Sequence, residues 1–150
     1  MSELDGDVGE VAIDVDSRKR AHNLATVRRM MDLFSSGHPE GLLDHVADDV
    51  VYEAPYYAQF QTKHSRAELA AMLQAVEDRF SSILYEVVEL FPTTDPDLVV
   101  AEIRGDHAVK GSDRRYQNHY IQFLRFGHDG KVVHWREFSN PDVYRDSVGH

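Results

Sequence analysis

The stretch KVVHWREFS, residues 131–139, decides how the chain is read. It follows a glycine-bounded turn, Gly127 to Gly130, and is dense in β-branched and aromatic residues, as in a strand packed on one face. A period of two puts Val133, Trp135, Glu137 and Ser139 on one face and Val132, His134, Arg136 and Phe138 on the other. One face thus holds a carboxylate beside an indole. A carboxyl in an apolar pocket is desolvated, which raises its pKa and lets it trade a proton near neutral pH. Glu137 is therefore the candidate general acid or base. The structural alternative for it is an ion pair with a neighbouring-strand arginine such as Arg104 or Arg125.

Working backwards from this strand, residues 116–126, 98–109 and 83–91 have the same β-type pattern. Short turns at Gly111 to Asp113 and around Pro92, Asp95 and Pro96 link them, so the four strands are expected to be antiparallel neighbours. In residues 116–126 the inward set is either Asn118, Tyr120, Gln122, Leu124 and Phe126, or Gln117, His119, Ile121, Phe123 and Arg125; composition does not choose. The upstream half is helical. Leu24, Val27, Met30, Met31 and Phe34 recur at spacings of three and four, predicting a helix over 17–36 that Gly37 stops. Pro39 opens a short second helix carrying Leu42, Leu43 and Val46. Residues 49–54 read as a strand closed by Pro55, and 56–64 as a loop. Ser65 with Glu68 is a capping box for a third helix whose buried face is Leu69, Met72, Leu73, Val76 and Phe80. Helices followed by a meander make an α+β fold, helices on one face of a strongly curved, mostly antiparallel sheet.

The chain has 150 residues, enough for one domain with a sizeable core, and no cysteine, so disulfides, thiolate metal sites and cysteine nucleophiles are excluded. That usage fits a cytoplasmic protein. Residues 1–16 are acidic and poor in apolar side chains, predicting a flexible arm or a swapped strand; 17–145 form the domain and 146–150 a tail. The formal charge of -10 opposes polyanions, so nucleic acid is not an expected partner. Arg18, Lys19 and Arg20 sit beside Asp14 and Asp16 and read as a solvated helix start. No apolar run approaches the roughly 18 residues of a membrane helix, and no membrane partner is expected. The nine histidines form neither His-x-His nor His-Glu-x-x-His, so no metal site is expected. No glycine-rich phosphate loop occurs, and no cofactor is implied.

The block HYIQFLRFGHDGKVVHWREF (119–138) resembles the closing hairpin of the SnoaL-like branch of the nuclear transport factor 2-like superfamily. ADDVVYEAP (47–55) resembles that superfamily's helix-to-strand entry, and KHSRAEL (63–69) the start of its third helix. TDP (94–96), Asn118-His119 and REFSNP (136–141) are most similar to phenazine-biosynthesis A/B-type proteins. The resemblance implies a cone-shaped α+β barrel with three N-terminal helices, a hydrophobic pocket between sheet and helices, and a homodimer through the outer sheet face. It also turns Asn118, Tyr120, Gln122, Leu124, Trp135, Glu137 and Ser139 toward the pocket.

Position by position, the carry-over narrows. Ketosteroid isomerases have a carboxylate base where Ala54 stands and a first-helix tyrosine where Met30 stands. Phenazine-type proteins pair a closing-strand glutamate, matched by Glu137, with a third-helix histidine, where this chain has Met72. The expected site is catalytic Glu137 with Trp135, Tyr120, Asn118, Gln122, Tyr57, Tyr52, Met72 and Ser139 around the substrate. His64 reads as a loop residue at the helix start. The function this implies is a cofactor-independent enzyme of secondary metabolism, an isomerase, dehydratase, cyclase or condensing enzyme, acting on a small hydrophobic cyclic carbonyl compound. The alternative is a non-catalytic ligand-binding or assembly module, because one scaffold hosts many uses.

Overall fold

The computed structural model describes residues 3–148. Helix α1 (Glu3–Ser35) buries Val27, Met30, Met31 and Phe34, the face set by the three-and-four spacing, and Gly37 takes the positive φ of 79° that ends it. After α2 (Pro39–Leu43) come strand β1 (Val46–Glu53) and helix α3 (Arg66–Arg79). The capping box at α3 forms: Ser65 Oγ accepts from the Glu68 N–H at 3.1 Å, and Glu68 reaches back to the His64 N–H at 2.6 Å. Strands β2 (Phe80–Ser82), β3 (Tyr85–Pro92), β4 (Leu98–Val109), β5 (Arg115–Phe126) and β6 (Val132–Phe138) follow, then helix α4 (Pro141–Val148).

The sheet order is β1-β6-β5-β4-β2, with β3 also paired to β4. The meander β3, β4, β5, β6 is antiparallel throughout, while β1 joins β6 in parallel. The core lies between the inner sheet face and the helices. β4 supplies Val99, Ala101, Ile103 and Val109 to it, and β5 supplies Tyr116, Tyr120, Leu124 and Phe126. The even-numbered set of β5 is therefore the inward one. Cross-strand pairs Gln122↔Glu137 and Leu124↔Trp135 carry this facing into β6.

Several expectations need correction. The sheet is open, not a closed barrel: β1 and β2 end the strand path without pairing with each other. The described residues form four helices rather than three, because α4 occupies the stretch expected to end in a tail at 146. Its Val143, Tyr144 and Val148 pack on the core, which explains why it folds back. The expected arm 1–16 is helical from Glu3, continuous with α1; residues 1 and 2 lie outside the described residues. The second helix stops at Leu43, and Val46 opens β1. Phe80, in helical phase after Val76, instead starts β2 because it pairs with Val109 at the end of the long β4. Val133 also leaves the face assigned to it. A bulge between Phe126↔Val132 and Arg125↔His134 breaks the period of two, so the buried residues are Val132 and Trp135.

Gly105 in β4 makes room for the site described next. A Cβ there would lie 2.8 Å from Tyr120 Cε2 and 3.3 Å from His107 Cε1. Tyr120 is buried and hydrogen-bonded, so its ring has little space to yield. Gly105→Ala is expected to destabilise the fold by about 1–3 kcal/mol, the usual cost of overpacking. Chemical denaturation measures it, and an unchanged midpoint would contradict the packing described.

Candidate active site

Helix α3, the loop after β1, the inner sheet face and α4 enclose a cavity of about 110 Å³. This is smaller than the roughly 300–1,000 Å³ of sites for drug-sized ligands and suits a compact molecule. Its walls include Tyr52, Tyr57, Met72, Tyr120, Glu137 and Ser139 from the expected site, together with Ala54. Three expected residues stand outside it. Trp135 packs edge-on against Tyr52 in the core, with ring centroids 5.3 Å apart. Gln122 sits behind Glu137, and Asn118 borders a separate open surface hollow.

Glu137 is the carboxyl of this cavity. Tyr52 Oη donates to its Oε2 at 2.6 Å, and Gln122 Nε2 donates to its Oε1 at 2.8 Å. The alternative, an ion pair with Arg104 or Arg125, is not made: Arg125 binds Asp95 at 2.7 Å, and among the described residues no Arg or Lys lies within salt-bridge distance of Glu137. Desolvation raises its pKa above the ordinary 4.5, and the two donated hydrogen bonds oppose that rise without cancelling it. The Tyr52 phenol is pushed well above its ordinary 10, first by burial and then by the adjacent Glu137 charge, so it remains a donor.

A belt of hydroxyls continues from Glu137. Tyr57 Oη and Ser139 Oγ are 2.6 Å apart, Tyr120 Oη donates to Tyr116 Oη at 2.9 Å, and Asn118 Nδ2 donates to the same Tyr116 oxygen at 2.9 Å. Burial raises the pKa of each of these tyrosines, keeping them neutral. Tyr144 of α4 meets the rings of Tyr57, Phe60 and Tyr116 edge-on, and Arg79 donates to its hydroxyl. Helix α4 thus covers one side of the site.

The sequence reading missed His107, which lines the cavity from β4 and is fully buried. Its signal was available in the alternation Val99, Ala101, Ile103, Gly105, His107, Val109, where a histidine stands in the inward, apolar phase. The Leu84 N–H donates to its Nδ1 at 3.2 Å, while Nε2 has no partner. A buried polar group left unpaired costs about 1–3 kcal/mol. Trp135 Nε1 and Gln122 Oε1 are likewise buried without a partner. Among the described residues no group of three His, Asp or Glu is placed to hold a metal ion, and no helix is long and apolar enough to cross a membrane.

Helices laid on a six-stranded, mostly antiparallel sheet, with a cavity between them, make an architecture of the nuclear transport factor 2-like kind. Residues 27–135 match the SnoaL-like domain family, and the chain belongs to that family. An uncharacterized PhzA/B-like protein of Pseudomonas aeruginosa is 28% identical over 123 residues, which cover 81% of this chain and 78% of that protein. Among solved structures, a Bacillus subtilis protein provisionally named an isomerase superposes with a TM-score of 0.77 at 20% identity, covering 86% of this chain and 94% of that one. A phenazine biosynthesis-related protein of P. aeruginosa superposes with a TM-score of 0.71 at 18% identity, covering 91% and 90%.

Burial holds the His107 imidazole at a pKa of about 4, below its ordinary 6.5, against the raising influence of Asp106 and with a further lowering by Arg115. As pH falls through 6.5 the unfolded chain takes up a proton that the folded chain refuses. Stability is therefore complete above pH 6.5 and declines toward pH 4, by about 3 kcal/mol from this residue. Replacing the histidine by phenylalanine should flatten that limb of the stability-pH curve, followed by urea denaturation at successive pH values. A curve as steep as wild type would contradict the burial described.

Proposed function

We propose that the chain is a cofactor-independent enzyme that moves a proton alpha to the carbonyl of a compact, hydrophobic cyclic compound, with Glu137 as acid and base. The carrying observation is the desolvated Glu137 carboxyl on the wall of a largely apolar cavity, free of any cationic partner among the described residues. In the forward step the Glu137 carboxylate takes the proton: the C–H bond breaks, an O–H bond forms on the carboxyl, and the electron pair moves onto the carbonyl oxygen as an enolate. Return of that proton to another carbon isomerises the substrate; when the carboxyl proton first swaps with solvent, return to the same carbon leaves a solvent hydrogen there. Each carboxyl oxygen accepts one hydrogen bond from the protein and keeps lone-pair capacity for the substrate.

Names within the shared fold support small-molecule chemistry: the B. subtilis isomerase, a Xanthomonas campestris protein provisionally named a polyketide cyclase, and an LEH-like epoxide hydrolase of M. tuberculosis. One observation favours the second reading, a non-catalytic binding module: Met72 faces the cavity from α3 where the phenazine-type pair has a histidine. Hydrogen-deuterium exchange alpha to the carbonyl of cyclohex-2-enone and related cyclic ketones, followed by proton NMR in D2O, separates the two. The enzyme reading expects acceleration that Glu137→Gln cuts about 10²–10⁴-fold. Equal exchange with both proteins would support the module.

A dimer through the outer sheet face belongs to the same proposal. It is supported by exposed Tyr56 and Ile121, which line an open hollow with Phe138. Ile121→Lys is expected to shift the protein from dimer to monomer in sedimentation equilibrium; a wild-type monomer would refute this face as the interface.

A further inference from the structure

The Leu84 N–H occupies the lone pair of His107 Nδ1, so the ring proton of the neutral imidazole resides on Nε2. That Nε2–H is a donor with no acceptor, on a residue that is buried and lines the cavity. Phe80, Tyr85 and Tyr116 surround the ring, with centroids 5.0, 4.7 and 5.6 Å away, and limit its rotation. A core histidine normally has both nitrogens satisfied. Here one is satisfied by backbone and the other is left over on a residue that lines the cavity.

We propose that His107 Nε2–H is the hydrogen-bond donor that receives an uncharged oxygen acceptor, a ring carbonyl, of the molecule bound in this cavity. This deepens the proton-transfer reading of the site, on which it rests. His107 and Glu137 come from different strands of the inner sheet face, β4 and β6, with β5 between them. The donor holds the oxygen on which negative charge develops, while the carboxyl handles the carbon-bound proton. His107 cannot replace the third-helix histidine of the phenazine-type pair as a base. Its Nδ1 lone pair is committed to Leu84 and its Nε2 already carries the proton. Burial keeps the ring uncharged, which suits a neutral oxygen better than a carboxylate ligand.

The test is long-range proton-nitrogen NMR of the histidine side chains in the full chain, with cyclohex-2-enone as probe and cyclohexene, which lacks the oxygen, as control. The Met72 methyl reports on cavity occupancy. The expected result is an Nε2-protonated His107 whose Nε2 resonance moves with the enone and not with cyclohexene. His107→Phe should weaken enone binding about tenfold, the scale of one neutral hydrogen bond. A moving Met72 methyl with an unmoved His107 overturns the donor while leaving the cavity reading intact. An Nδ1-protonated ring, or no response of either residue up to the enone's solubility limit, overturns it as well. If His107 responds as expected while Glu137→Gln leaves exchange unchanged, the donor stands and the catalytic reading of Glu137 falls.

Discussion

The antiparallel register between β5 and β6 is the constraint on which the site depends. Setting Gln122 opposite Glu137 and Leu124 opposite Trp135 turns one carboxyl inward together with two large apolar side chains. A one-residue slip would carry Glu137 to the outer face and strip the cavity of its acid. The parallel pairing of β1 with β6 completes the arrangement, because it brings Tyr52 alongside Trp135 and its hydroxyl onto Glu137. Fold and site are thus settled by the same hydrogen-bond ladder.

Two opposed effects act on the carboxyl. Burial penalises its charged form, and hydrogen bonds from Tyr52 and Gln122 favour it; burial is the larger, so the pKa rises. The surrounding groups do not relieve that tension, because the tyrosines are held neutral by the same burial, Arg115 and Arg125 pair with Asp106 and Asp95, and Arg136 lies over the Phe123 ring. An acid kept slightly uncomfortable next to an apolar space is suited to passing a proton back and forth.

Much of this was legible in the chain. Helical spacing from Val27 to Phe34, the Ser65–Glu68 cap, the four-strand meander and the shared face of Trp135 and Glu137 all follow from period and turn chemistry. The inward set of β5 was not, since both alternatives mix apolar and polar residues; resemblance chose it, and cross-strand pairing accounts for it physically. Period-two counting failed at Val133 because a bulge adds a residue that no local signal announces. Phe80 obeyed helical spacing and still became a strand, since its partner Val109 lies far away in sequence. Trp135 looked like a recognition surface, yet Tyr52 packs against it, a contact created by the non-local β1–β6 pairing. His107 sat in plain view, but its tautomer depends on the backbone of Leu84 and could not be read from composition.

The central claim is that Glu137 is a desolvated carboxyl with a pKa above the usual glutamate value. Carbon-detected NMR titration of the Glu137 side-chain carboxyl in the unliganded protein measures this most directly. The account predicts a midpoint clearly above 4.5. A midpoint at or below 4.5 would mean that the hydrogen bonds from Tyr52 and Gln122 outweigh burial and that Glu137 is a structural carboxylate.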